Sequence, residues 1–308
     1  MFFPAPDLAS VLPGLARHKS IWHYTSAEAA LSIIETKRVR LGQVEMLNDS
    51  GELNHGLSLI RARLEDARFT LDHWDEVDGV VSSATDEDLG QLYVACASSL
   101  PSSLSQYRSY GPYALGIDPE VHLQLTGTAH SSDPFADFVT PGDELTNATL
   151  TYGWRRVLYS SDDKNQLVSN LLESLSQQMR DAPHRNPADA DDTGEDEMVA
   201  SYFAVSCVVA AAAFLKHEAF AEEAEVRLLA VCDLMNPAVG FRAGRLGLTP
   251  FIEVEAKYAD NTQPVSILSS VRLGPLTGDS EAAMSGLRMA LRKFAPGVTA
   301  VGADIAYR

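Results

Sequence analysis

The chain has 308 residues, 45% of them apolar and 21% charged, enough for one large domain or two ordinary ones with a sizeable core. That balance excludes a wholly disordered chain, a collagen and a coiled coil. Against 24 Lys and Arg stand 42 Asp and Glu, a net charge of −18, which repels phosphate backbones at long range and argues against a protein that coats nucleic acid.

The three cysteines, Cys96, Cys207 and Cys232, are too few and too scattered for a disulfide framework, and each lies in an apolar run. They read as buried thiols of a reducing compartment. Met1-Phe2-Phe3-Pro4-Ala5-Pro6 has no basic region and no unbroken apolar stretch, so no signal peptide is expected. The most apolar run, Ala204 to Leu215, is 12 residues and too short to span a bilayer. The expectation is a cytoplasmic protein with no membrane partner.

In chain order, Ile21-Trp22-His23-Tyr24 reads as a short strand. Thr25 then stands at capping-box spacing from Glu28 and opens a helix with Ala29, Ala30, Ile33 and Ile34 as its apolar stripe. Asn48-Asp49-Ser50-Gly51-Glu52 forms a turn and cap before a second amphipathic helix, with Leu53, Leu57, Ile60 and Leu64 on one face. Residues 70–90 are polar and read as irregular. Gln91 to Ala97 is a strand, followed by a helical turn through Tyr107 and a strand from Tyr113 to Ile117. Residues 118–150 give weak signals. Trp154 to Ser160 reads as a strand and Asp162 to Arg180 as an amphipathic helix.

Asp181 to Met198 carries seven acids, one Arg, two Pro and one Gly, the composition of a solvated or disordered loop. An Ala-rich helix from Val199 to about His217 is apolar on all sides and therefore central. Glu225–Val231, Phe251–Glu255 and Ile267–Leu273 read as strands. Ser280–Phe294 reads as a helix, and Val298–Ile305 as a last strand. Helices and strands mix without a regular βαβ period and no linker divides them, which predicts a single α+β domain over 1–308 with mixed or antiparallel sheets flanked by helices.

Several signatures are missing. There is no phosphate-binding glycine loop, no dinucleotide fingerprint after a strand and no nucleophile elbow. His217-Glu218 begins like a zinc motif but lacks the second His, the eight His show no ligand spacing, and no metal is expected. Three segments remain unusual. His23-Tyr24-Thr25-Ser26 places four hydrogen-bonding side chains where a strand passes into a helix. Ser105-Gln106-Tyr107-Arg108-Ser109-Tyr110-Gly111 sets Tyr107 and Tyr110 one turn apart on a common face. Glu225 and Arg227 share one face of an apolar strand with Leu229 and Val231, so they must pair or face a cleft. Each segment also has a purely structural account: a core histidine with a helix cap, a packed tyrosine pair, a buried ion pair.

These segments carry a resemblance to the bacterial family catalogued as domain of unknown function 2971, covering Trp22 to Arg308. Its motifs stand here as His23-Tyr24-Thr25-Ser26, Leu47-Asn48-Asp49 with Glu52, Cys96-Ala97-Ser98, Leu104 through Gly111, and Leu115-Gly116-Ile117-Asp118. They continue with Lys216-His217 and Phe220, Glu223-Ala224-Glu225-Val226-Arg227, Thr249-Pro250-Phe251-Ile252, Leu273-Gly274-Pro275 and Tyr307-Arg308. The chain departs from the family at Ala97, where an aromatic is usual, at Tyr107, where a Trp is usual, and near Asp304-Ile305-Ala306, where Ser-x-Ile-Pro is usual.

The order of the segments also resembles the ADP-ribosyltransferase superfamily, and that resemblance implies a fold core and a role for each residue. His23, with Tyr24, Thr25 and Ser26 around it, would hold a ribose of NAD. Ser98 with Tyr107 or Tyr110 would come from the middle strand and helix, one Tyr stacking on the nicotinamide. Glu225 would be the catalytic carboxylate, and Arg227 or Arg40 would contact the diphosphate. The implied activity is an NAD-consuming ADP-ribosyltransferase of the toxin or defence-effector kind. Its acceptor is open between protein, small molecule and, less favoured, nucleic acid. A NAD glycohydrolase, with water as acceptor, and a non-catalytic nucleotide- or protein-binding module are the alternatives.

Overall fold

A strand buried along its whole length needs a layer on each face. Strand β7 (Glu225–Cys232) is such a strand, and the fold is built around it. The computed structural model describes residues 12, 14–15, 20–46, 51–84, 91–121, 123–126, 149–181, 194–244, 247–256, 266–275 and 280–303. Its first elements are strand β1 (Ile21–Thr25), helix α1 (Ala27–Thr36), strand β2 (Val39–Gln43) and helices α2 (Gly51–Asp66) and α3 (Trp74–Ser83). Strand β3 (Leu92–Ser98), helix α4 (Leu104–Tyr110), strands β4 (Tyr113–Ile117), β5 (Leu123–Leu125) and β6 (Thr149–Arg156), and helices α5 (Ser161–Asp181) and α6 (Gly194–Ala212) follow. After β7 come β8 (Gly240–Gly244), β9 (Gly247–Ala256), β10 (Leu268–Leu273), α7 (Ser280–Phe294) and β11 (Thr299–Gly302).

The strands join in one mixed sheet, ordered β11-β10-β4-β1-β3-β2-β9-β5, with β7 and then β6 on the free edge of β3 and β8 on β9. Only β10 and β11 run parallel; the other paired strands are antiparallel. Side-chain alternation along β3 and β7 feeds two cores. Leu92, Val94, Leu229 and Val231 pack under α2, α3, α5 and α6. Tyr93, Ala95, Ala97, Val226, Leu228 and Ala230 pack on the other face with α1, α7 and the inner residues of β4, β9 and β10.

Helix α6 is the hub of the first core. Every residue from Phe203 to Lys216 is buried. It meets α2 at Gly56, where a Cβ would lie 2.2 Å from the Ala212 carbonyl oxygen, so only glycine permits this approach. The contact brings Glu52, one turn before Gly56, beside Lys216, one turn after Ala212.

The expected α+β architecture of mixed sheet and flanking helices is present, with local differences. Helix α1 is capped by Ser26, whose Oγ accepts the Ala29 N–H at 3.2 Å, and Thr25 belongs to β1 instead. Residues 74–83 form helix α3, whose two inward residues, Val77 and Val81, are too few to signal a stripe among acids. Strand β6 ends at Arg156; Val157 still donates to β7 at the Glu225 carbonyl, and Leu158 leaves to pair with 214–216, accepting from Lys216 N–H at 3.0 Å. The acidic stretch expected as a loop over 181–198 is helical at both ends, Asp181 closing α5 and 194–198 opening α6, and 182–193 lies outside the described residues. The final strand is β11; 304–308 and the Asn48-Asp49 cap also fall outside the described residues.

Candidate functional site

Strand β3 has two different partners along one edge. β7 pairs with its opposite edge from Leu92 to Ser98, so β1 and β2 must share the remaining one. β2 takes it at Tyr93 and Val94, whereas β1 takes it only at Ser98, opposite Trp22. Between these points the sheet forks, and the backbone of Ala95, Cys96 and Ala97 borders an opening. His23 lies there: its ring Nδ1 is 2.7 Å from the Cys96 carbonyl oxygen. A carbonyl only accepts, so Nδ1 carries the proton and Nε2 is an acceptor in the neutral ring. Burial holds the His23 pKa below its ordinary value despite that bond, which keeps the ring neutral.

The opening is a cavity of about 570 Å³, within the range of small-molecule sites. It is lined by β1 (Trp22–Thr25), by Ser26 and α1, and by Arg38, Arg40 and Gly42 of the β2 region. Val94–Ala97 of β3, Gln106 and Tyr110 of α4, and Glu52 of α2 add to this wall. Lys216, Phe220, Glu223, Glu225, Arg227, Arg242 and Glu253 complete it. Trp22, Ser98 and Glu225 form one row across β1, β3 and β7. Two inter-strand spacings of about 4.8 Å put the outer backbones of that row roughly 10 Å apart, and His23, one residue along β1, lines the same cavity as Glu225.

On the β7 side of β3 lies a cluster of five charges, three of them buried and Glu52 and Glu223 partly so. Lys216 Nζ is 2.8 Å from Glu52 Oε1, 2.6 Å from Glu223 Oε2 and 3.0 Å from Glu225 Oε2. Arg227 donates through Nε to Glu225 Oε1 at 2.8 Å, through Nη2 to Glu225 Oε2 at 2.9 Å and Glu52 Oε2 at 2.6 Å, and through Nη1 to the Ala213 carbonyl at 2.6 Å. Burial works against the Glu225 carboxylate, but Arg227 and Lys216 outweigh it and bring its pKa down to about 2. Burial likewise opposes the Lys216 ammonium, and the carboxylates of Glu225, Glu223 and Glu52 more than offset it, raising its pKa. Burial, then the neighbouring Glu225, push the Cys96 thiol well up, so it remains protonated.

The backbone around the cluster is fixed. Glu225 N–H donates to the Tyr159 hydroxyl at 3.0 Å and Val157 N–H to the Glu225 carbonyl at 3.0 Å. Glu223 ends a 3₁₀ turn over Glu218–Glu223, after which Ala224, with φ 44°, sits in the left-handed region and turns the chain into β7. On the β2 side the charges are arranged differently. Arg40 pairs with Glu253 at 2.9 Å, lies over the Phe251 ring at 4.8 Å, and is joined by Arg38, 3.4 Å from Glu253 and 3.1 Å from Glu255. Arg242, on the exposed strand β8, makes no ion pair among the described residues.

Of the residues singled out from the sequence, His23, Tyr24, Thr25, Ser26, Arg40, Tyr110, Glu225 and Arg227 all line this cavity. Two do not. Tyr107 is fully buried and packs edge-on against Tyr24, ring centroids 4.9 Å apart, so it supports the site from behind. Ser98 donates to the Glu223 carbonyl at 2.7 Å and accepts from Leu100 N–H at 3.1 Å, which ties β3 to the turn before β7. Of the two tyrosines one turn apart, Tyr107 is packed against Tyr24 of β1 and Tyr110 reaches the cavity, where burial and then the neighbouring Cys96, Glu223 and Glu225 raise the Tyr110 pKa to about 12. Gly111 closes that helix at φ 127°, its Cα so near Thr25 that a Cβ would lie 2.6 Å from the carbonyl oxygen, and this contact seats Tyr110 beside β1. Arg227 lines the cavity, yet its guanidinium is committed to Glu225, Glu52 and a carbonyl.

Lys216 and Glu223 stand in the motifs quoted above without a role, Glu52 stood between a helix cap and a catalytic part, and Arg242 was not singled out. The available signal was Lys216, a lone charge ending a run of apolar residues that must be buried, and hence must have partners. No family model, curated protein or solved structure matches the chain.

Proposed function

We propose that the cavity binds NAD and that the protein transfers the ADP-ribosyl group to an acceptor, in a transferase core of the ADP-ribosyltransferase kind. The observation that carries this reading is the charge balance of one cavity: one surplus negative charge on the β7 side, where Glu52, Glu223 and Glu225 surround Lys216 and Arg227, and one surplus positive charge on the β2 side, where Arg38, Arg40 and Arg242 stand against Glu253 and Glu255, with neutral His23 and Tyr110 on its walls. NAD has the complementary pattern, a cationic nicotinamide riboside joined to an anionic diphosphate. In the reaction the C1′–N1 bond breaks and its electron pair goes to the pyridinium nitrogen, releasing neutral nicotinamide. The ribosyl C1′, left oxocarbenium-like, takes a lone pair from the acceptor, whose proton leaves to solvent.

The acid side, Glu225 with Glu223 and Glu52, stabilises the charge that develops at C1′. Tyr110 offers an aromatic face to the nicotinamide. His23 Nε2 accepts a ribose hydroxyl, with Tyr24, Thr25 and Ser26 shaping that wall. Arg40 and Arg242 contact the diphosphate, a role Arg227 is too fully bonded to share. With water as acceptor the same steps give a glycohydrolase.

A second reading has its own support. Both oxygens of Glu225 are engaged by Arg227 and Lys216, which suits a module that holds a nucleotide without cleaving it. Nicotinamide release from NAD by the purified protein, alone and with a clarified bacterial lysate, separates the cases. Release that needs lysate and vanishes in Glu225→Gln supports transfer, and release without lysate supports hydrolysis. Thermal stabilisation by NAD without release supports the binding module. The absence of both release and stabilisation overturns the NAD reading.

A further inference from the structure

The three carboxylates of the cluster differ in what they have left to offer. An ionised carboxylate has about four lone-pair sites. Glu225 receives Arg227 Nε on Oε1, and Lys216 Nζ with Arg227 Nη2 on Oε2, and the Cys96 thiol beside it is a further donor. Glu52 is held on both oxygens, Oε1 by Lys216 and Oε2 by Arg227. Glu223 is held on Oε2 alone, by Lys216, and its Oε1 has no partner among the described residues. Exposure follows the same order: the Glu223 side chain is 24% exposed, against 13% for Glu52 and 8% for Glu225.

We propose that Glu223, not Glu225, is the carboxylate that meets the ligand, and that Glu225 and Glu52 are positioning residues that fix Lys216 and Arg227 beneath it. Three anions against two cations leave the cluster with one surplus negative charge, and that surplus resides on the carboxylate with a single partner. Lys216 holds Glu223 through one oxygen and so orients the other, a preorganised acceptor for a cationic group or for one that gains positive charge. The identity of that group as the nicotinamide ribosyl centre rests on the NAD reading; the identity of the exposed carboxylate does not.

The test is carboxylate labelling of the full-length protein in its native state with a water-soluble carbodiimide and glycine ethyl ester, read by tandem mass spectrometry. Glu223 is expected to label, and Glu225 and Glu52 to resist. NAD is expected to protect Glu223. Glu223→Gln is expected to cut nicotinamide release by about 100-fold or more, the scale of one lost charge-stabilising group, while its melting temperature stays within about 2 °C of wild type, because Lys216 keeps Glu52 and Glu225 as partners. Glu225→Gln, by contrast, lowers the melting temperature by several degrees. Labelling of Glu225 as fast as Glu223, or Glu223→Gln activity within about threefold of an active wild type, overturns the proposal. If the wild type releases no nicotinamide and NAD protects nothing, the NAD reading falls, and the labelling pattern still decides which carboxylate faces the cavity.

Discussion

Lys216→Met removes one charge from a place where three carboxylates converge, and its effect follows from the geometry. The ammonium is 5% exposed and lies within 3.0 Å of Glu52, Glu223 and Glu225. Without it, Arg227 still bonds Glu225 and Glu52, but Glu223 keeps no cation and two buried anions share one guanidinium. Removing one partner of a buried ion pair costs about 3–5 kcal/mol, because the other charge stays behind. For 308 residues the unfolding entropy near the melting point is about 0.65 kcal/mol/K, so the melting temperature should fall by about 5–8 °C at pH 7.5. The loss should shrink at pH 5. Deprived of Lys216, a carboxylate whose folded pKa rises above its unfolded value takes up a proton on folding, which stabilises the variant at low pH and is lost as pH rises. Thermal melts followed by circular dichroism at the two pH values provide the assay. A variant that melts within 1 °C of wild type at pH 7.5, or that loses equally at both pH values, would refute the reasoning.

The wild type should lose stability in two acid windows. The His23 ring, held neutral, resists a proton that the unfolded chain accepts, so stability falls as pH drops below about 6.5, at up to about 1.4 kcal/mol per pH unit. Glu225, at about 2 against 4.5 unfolded, adds a loss on the order of 3 kcal/mol as pH falls from about 4.5 towards 2. Urea denaturation across this range checks both; a flat profile between pH 7 and 5.5 contradicts the His23 assignment. Gly56→Ala should cost about 1–3 kcal/mol, since its methyl would meet the Ala212 carbonyl and part Glu52 from Lys216; an unchanged urea midpoint would show that α2 and α6 pack otherwise. Tyr107→Ala should destabilise by about 3–5 kcal/mol, as for a buried aromatic, whereas Tyr110→Ala should leave stability nearly unchanged and weaken nucleotide binding. The reverse order would exchange their roles.

Periodicity made the inner elements legible. Tyr113–Ile117 and Ser280–Phe294 fall where their patterns put them, and the alternation expected along β7 is what divides Leu229 and Val231 from Val226, Leu228 and Ala230 between two cores. Short elements were not legible. β2 and β8 are five residues each, β2 with a glycine inside and β8 with one at each end, and α3 buries only two valines. The cap at Ser26 was one residue off because Thr25 and Ser26 are equally good capping side chains, and only the length of β1 decides between them. In the candidate site, residues on one strand were read correctly as neighbours: Glu225 and Arg227 do pair. What no local pattern could supply was Lys216 with Glu52, which meet because a glycine on α2 allows it to lie against α6.

That assembly bears on why the charges are there at all. A buried ion cluster is a poor stabiliser: well-packed apolar residues of similar volume would serve the fold as well or better. Five charges drawn from α2, the end of α6, the 3₁₀ turn and β7 are therefore not explained by stability. They are explained by what they present to the cavity, a field fixed before any ligand arrives. Lys216 and Arg227 let three carboxylates coexist largely out of water, the packing of α2 on α6 sets their spacing, and the fork in the sheet opens the cavity onto them. The same split that costs β3 part of a hydrogen-bonded edge, bridged at the Cys96 carbonyl by His23, opens the cavity onto the cluster.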